Sequence, residues 1–122
     1  WAIIPFIAII GPLYEELIFR KALFRLFNIK KPALNIIITG ALFALIHVAS
    51  SILIIISSLL TKGNAEYRFD NLILEFIFFF NYFISGVILG FIYCITGYNI
   101  LPCFIVHMLN NAYTAAILIF FK

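Results

Sequence analysis

Residues 33–60 read ALNIIITGALFALIHVASSILIIISSLL, with no Asp, Glu, Lys or Arg. At ~1.5 Å per residue, a helix of this length runs about 42 Å, more than the ~30 Å hydrocarbon core of a bilayer, so it is expected to cross a membrane with some tilt. A second uncharged stretch extends from Phe76 to Phe121, broken only by Gly97-Tyr98-Asn99-Ile100-Leu101-Pro102, whose Gly, Asn and Pro are turn formers. It predicts two further helices. The segment from Trp1 to about Phe27 predicts a fourth, apolar up to Tyr14 and then charged at Glu15, Glu16, Arg20, Lys21 and Arg25. Pro12, following Gly11, is expected to start or kink a helical stretch, because it lacks a backbone donor and suits a first turn.

Composition agrees with this reading. Of the 122 residues, 66% are hydrophobic and 11% are charged, with a mean hydropathy of +1.19. Soluble domains carry about 45–50% apolar and about 25% charged residues, which excludes an ordinary water-soluble domain. The length accommodates about four spans and leaves nothing for a separate soluble unit. Residues 1–122 are therefore expected to be a single all-α domain, a polytopic transmembrane helix bundle of about four helices. The chain starts at Trp1 with no signal-peptide pattern, and it is read as a piece lacking N-terminal spans, the core of a larger membrane domain. Net charge is +3, spread over several loops, so it bears on membrane orientation and argues against a nucleic-acid partner.

The connection after the first helix carries Arg20, Lys21, Arg25, Lys30 and Lys31 with no acid beyond Glu16, and it is expected to face the cytoplasm. The stretch from Thr61 to Asn71 sets Lys62 and Arg68 against Glu66 and Asp70, and reads as a neutral loop on the opposite side. Cys94 and Cys103 stand nine positions apart in apolar surroundings, which matches neither a CxxC redox pair nor a zinc knuckle. They read as buried, inert thiols.

Two adjacent carboxylates in a membrane helix need a reason, since each costs at least ~2.5–3.5 kcal/mol to insert. Successive helical residues point ~100° apart, so Glu15 and Glu16 are expected on different faces with separate jobs. Glu16 and Arg20 are spaced i,i+4 with the acid first, the favourable order for an ion pair. Glu15 is left without a sequence-local cation, free to face a polar cavity as a base or, in the plainer reading, to sit solvated at the interface. His47 lies in the middle of the uncharged second helix, where Ser50, Ser51, Ser57 and Ser58 could satisfy it. His107 lies in the last helix with Asn110 and Asn111 after it, and Asn111 at i+4 shares its face. Depths counted along the helices at ~1.5 Å per residue allow Glu15, His47 and His107 to meet in one site.

These residues form three motifs in order: Glu15 to Arg20 is EExxxR, Phe43 to His47 is FxxxH, and His107 to Asn111 is HxxxN. The set resembles the CPBP family of intramembrane proteases (CAAX protease and bacteriocin-processing), which includes CAAX prenyl endopeptidases of the Ras-converting type and the bacterial Abi and lysostaphin-resistance-like proteins. The resemblance covers nearly the whole chain. It implies an intramembrane endopeptidase in which Glu15 acts on the attacking water and His47 holds and polarises that water. It assigns His107 and Asn111 to a further water or metal contact and to the oxyanion, with Glu16, Arg20 and Phe43 supporting. A divalent metal such as Zn2+, if bound, would take Glu15, His47 and His107, whereas a metal-free glutamate mechanism would use the same groups. There is no HExxH, so the chain is not a standard zincin.

The expected substrate is a membrane-tethered or lipidated peptide, a prenylated CAAX peptide or a bacteriocin-like one, cut within a lipid bilayer. The expected location is a bacterial cell membrane with the site toward the cytoplasm. Two other functions fit the same residues: a transport or proton-relay module, in which the polar groups would be strung through the bilayer, and a non-catalytic immunity or binding protein on the protease scaffold.

Overall fold

The computed structural model describes residues 6–27, 30–60 and 65–120. Trp1 and Lys62 lie outside them, as do the side chains of Glu66, Arg68 and Asp70, so the expectations placed on those groups concern undescribed positions. The described residues are helical apart from short connections. Helix α1 covers residues 6–26 as four contiguous pieces, wide π turns at Phe6–Ile10 and Leu17–Leu23 alternating with α turns at Gly11–Glu16 and Phe24–Leu26. Helix α2 is Pro32–Leu60, α3 is Ala65–Ile95 and α4 is Ile100–Phe120.

Among the described residues, three helices are long and apolar enough to cross a membrane, over Pro32–Ser57, Asn71–Ile95 and Ile100–Ile117. Pro12 sits at the head of the Gly11–Glu16 turns, where the helix changes from π to α geometry. Two boundaries differ from the sequence reading. Backbone helix begins at Ala65, so most of the expected loop at 61–71 belongs to α3. The turn ahead of α4 is also shorter, because Pro102 falls in the first turn of that helix, where a missing N–H leaves no bond unmade.

The turn itself is fixed by capping. Tyr98 N–H donates to Tyr93 O and Gly97 N–H to Cys94 O, the paired bonds that close a helix C-terminus, with Gly97 at φ 69°. The Tyr93 and Tyr98 rings meet at 5.5 Å, supplying the apolar contact that accompanies this cap. Asn99 then caps α4, its Oδ1 accepting from Leu101 N–H at 3.0 Å.

The exterior is apolar, with Leu53, Ile54, Phe76, Phe91 and Leu109 exposed, while Glu16, Arg20, Asn35, Thr39 and His107 are buried among core residues such as Phe19, Phe43, Leu89 and Tyr93. Lipid solvent permits such an exterior, because apolar surface gains nothing by leaving it and polar groups must find partners inside.

α2 and α3 form the most extensive helix pair and run antiparallel, matching Ile36 with Gly90, Gly40 with Gly86 and Phe43 with Tyr82. Their backbones cross without side chains between them at Gly40 and Gly86. A Cβ added to Gly86 would stand 2.9 Å from Gly40 Cα, inside the closest approach real atoms make. α4 packs on α3, where the Cys103 thiol reaches Leu89 O at 3.5 Å; Cys103 is buried and Cys94 half-buried, both free. The end of α1 is tied to the start of α2 by Asn35 Nδ2, which donates to Phe24 O at 2.8 Å.

Gly86→Ala is therefore expected to force α2 and α3 apart and to cost about 1–3 kcal/mol, the usual range for overpacking. Thermal denaturation of the purified protein in detergent tests it, and an unchanged transition would mean that the crossing is not close in solution.

Candidate active site

The site is built where α1, α2 and α4 converge. The α turns at Gly11–Glu16 carry both glutamates, and the wide turns of Leu17–Leu23 follow them. Glu16 is fully buried and Glu15 is not, its side chain being 30% exposed.

Glu16 accepts from two helices at once. Its Oε2 takes a hydrogen bond from Arg20 Nε at 3.0 Å, and its Oε1 one from His107 Nδ1 at 3.0 Å. Arg20, also fully buried, turns its NH2 group to Gly86 O on α3 at 3.1 Å. One continuous chain of bonds thus links α4, α1 and α3. Of the five cations that follow the glutamates in sequence, the structure places Arg20 inside and leaves Lys21, Arg25, Lys30 and Lys31 exposed at that end.

Glu15 meets the other side of the same histidine. Its Oε2 lies 3.5 Å from His107 Nε2 and 3.6 Å from His47 Nε2. The two glutamates were expected to diverge, and they do leave the helix in different directions. They converge again on His107, because the two ring nitrogens lie on opposite edges of the imidazole and one neighbouring carboxylate reaches each.

Hydrogen-bond chemistry fixes the tautomers. His107 Nδ1 faces a carboxylate and His47 Nδ1 faces Phe43 O at 2.7 Å. Both partners only accept, so each Nδ1 carries the proton, and in the neutral rings each Nε2 is a lone pair. His47 is thus satisfied by its own helix one turn back, not by the serines. Two Nε2 lone pairs and Glu15 Oε2 then confront one another, and Oε2 is buried with no hydrogen-bond partner among the described residues. Three acceptors at such separations call for protons shared among them.

The same donor set has the chemistry of a zinc site, two imidazoles and a carboxylate with their second nitrogens held by outer partners. Among the described residues, however, no group of three His, Cys, Asp or Glu is arranged to hold a metal ion.

Phe43 is the hub of the surrounding shell. It is 1% exposed and lies in ring contact with Phe19 at 5.1 Å, His47 at 4.3 Å and His107 at 5.8 Å. The Arg20 guanidinium carbon stands 6.0 Å from its ring centre. Beside the histidines a cavity of about 190 Å³ is lined by Phe43, His47, Tyr82, Ser85, Val106, His107 and Asn110, together with Ile88 and Leu89. Glu15 is not part of that lining and stands against the Nε2 edges of the two histidines that are. Asn110 faces the cavity, whereas half-buried Asn111 is not among its lining residues. Tyr82 and Ser85 escape a reading of the sequence, because a hydroxyl in a span carries no charge signal and α3 holds none of the three motifs; Asn110 stands beside the HxxxN motif, which gives it no role.

The family described as type II CAAX prenyl endopeptidase Rce1-like matches residues 1–113. The chain belongs to this family. No curated protein and no solved structure matches it. Membership in a CAAX prenyl endopeptidase family carries protease activity in general terms, and together with the three apolar helices it makes the chain an integral membrane protein.

The two glutamates should respond differently to substitution. Arg20→Leu strands the buried Glu16 carboxylate and is expected to cost about 3–5 kcal/mol. Among the described residues Glu15 stands no closer than 3.5 Å to the imidazole nitrogens, so Glu15→Gln should shift stability by less than about 1 kcal/mol. Denaturation in detergent micelles measures both, and equal losses would contradict this division of labour.

Proposed function

We propose that this chain is the catalytic core of an intramembrane endopeptidase that hydrolyses a peptide bond of a membrane-associated peptide, with a prenylated CAAX peptide as the first substrate to try. The observation that carries the reading is the convergence of His47 Nε2 and His107 Nε2 on Glu15 Oε2, at 3.6 and 3.5 Å, with both Nδ1 protons already committed elsewhere.

In this reading a water held against the Glu15 carboxylate and the edges of the two imidazoles attacks the scissile carbonyl carbon. Its proton passes to the Glu15 carboxylate as the carbon–oxygen bond forms, and negative charge develops on the former carbonyl oxygen. Collapse of that intermediate breaks the carbon–nitrogen bond, and Glu15 returns the proton to the leaving nitrogen. His47 and His107 aim the water and take up the charge change around Glu15. Glu16 holds His107 in the tautomer that leaves Nε2 available. The Asn111 carboxamide is assigned to the oxyanion on the strength of the HxxxN motif.

A proton relay would need its polar groups strung through the bilayer, and here they gather at one level beside a cavity, which favours the peptidase. The exposed cations Lys21, Arg25, Lys30 and Lys31 would place the α2 entry and the 96–99 turn on the cytoplasmic side.

The test is hydrolysis of an internally quenched, S-farnesylated CAAX peptide by the full-length protein in detergent, beside the same peptide without its lipid. Wild type is expected to cleave the lipidated peptide and Glu15→Gln to be inactive while still folded; a fully active Glu15→Gln would end the proposal. Asn111→Ala should lower turnover by about a hundredfold or more with KM little changed, the typical cost of losing one oxyanion donor. Were Asn110→Ala to show that loss instead, the donor would be the cavity-facing amide.

A further inference from the structure

Among its described residues α3 brings no carboxylate, amine or imidazole to the histidines, and the ring it sets against them is that of Tyr82. That ring stacks on His47 at 4.3 Å between centroids, with the planes 29° apart. Phe43 lies at the same 4.3 Å from His47, and the Phe43 and Tyr82 rings are 6.4 Å from each other. These three distances set Phe43 and Tyr82 roughly at a right angle about the imidazole. Each therefore blocks a different direction of ring motion.

The distinction matters because the Nδ1–Phe43 O bond fixes only one edge of His47. Small concerted changes of χ1 and χ2 could keep that bond within range and still displace Nε2 from Glu15. Phe43 belongs to the same helix and moves with His47, whereas Tyr82 belongs to α3. It stands one turn before Gly86, the residue that both crosses Gly40 and accepts from Arg20. The stack thus ties the imidazole to the helix on which the Arg20 anchor is also fixed. Packing alone does not explain an aromatic here: Tyr82 is 37% exposed and lines the cavity, while Phe43 and Tyr93 are each 1% exposed.

We propose that Tyr82 is a positioning residue, its ring holding His47 so that Nε2 stays directed at the Glu15 carboxylate. Aromatic area and plane do this work; the phenol hydroxyl does not. The kinetic part of the test rests on the peptidase reading, and the spectroscopic part does not.

Tyr82→Phe, Tyr82→Leu and Tyr82→Met are made in the full-length protein and assayed with the S-farnesylated CAAX peptide. Misplacing a group by about 1 Å costs up to about a hundredfold in rate, so the two aliphatic variants should lose at least about tenfold in kcat with KM changed less than about threefold. Tyr82→Phe should restore kcat to within about threefold of wild type, since offset stacking needs no hydroxyl. In parallel, histidine-selective labelling reports the ring resonances of His47, identified by their loss in His47→Asn. The aliphatic variants should move them toward free-imidazole positions, Tyr82→Phe should leave them in place, and His107 should be little affected.

The proposal falls if the His47 resonances do not move in either aliphatic variant, or if Tyr82→Phe is as slow as Tyr82→Leu, which would make the hydroxyl the active element. It also falls if KM alone rises, which would make Tyr82 a substrate contact. Misfolding of both aliphatic variants beside a folded Tyr82→Phe would overturn it in favour of simple packing. Should wild type fail to cleave the peptide, the peptidase reading fails, and the resonance shifts alone decide the role of Tyr82.

Discussion

The bundle is organised around one guanidinium and one carboxylate that it holds away from water. Arg20 and Glu16 are both fully buried, and a charge without a partner in such surroundings costs several kcal/mol. The bundle meets that cost with geometry, one i,i+4 ion pair extended at one end to His107 on α4 and at the other to Gly86 O on α3. No member can move far without stranding another. The chain of bonds therefore sets where three helices stand relative to one another, and with them the elements of the site.

Close approach of α2 and α3 is the second part of the same solution. Because Gly40 and Gly86 let the two backbones touch, Gly86 O comes within reach of Arg20, and Tyr82, one turn away, comes within stacking distance of His47. Small residues at a helix crossing are usually read as packing devices in lipid. Here the crossing also delivers a backbone acceptor and an aromatic ring to a polar centre. Phe43 fills the space between them, so that one buried phenylalanine touches both histidines and borders the arginine.

The electrostatic outcome is a division of each imidazole into a structural edge and a free edge. Nδ1 of His47 is committed to a carbonyl and Nδ1 of His107 to a carboxylate, so both Nε2 atoms turn to Glu15. Glu16 thereby does more than partner Arg20. It holds the tautomer of a residue 91 positions away in sequence, with a bond that also secures the bundle.

Much was legible in the chain itself. The uncharged run of residues 33–60 and the hydropathy of the last third dictated membrane helices, because a single apolar segment that long satisfies its own backbone groups in lipid only as a helix. The i,i+4 spacing of Glu16 and Arg20 dictated their pairing, and the three motifs pointed to the family. Such readings succeed because they depend on one helix at a time, where spacing fixes geometry. The remainder depended on contacts between helices, which spacing cannot convey. That adjacent glutamates would grip one imidazole from both sides, that Asn110 would line the cavity, and that Tyr82 would stack on His47 followed only from how α1, α3 and α4 lie against α2. The Gly40–Gly86 crossing and the buried Arg20 chain fix that arrangement, and both are made of residues far apart in sequence.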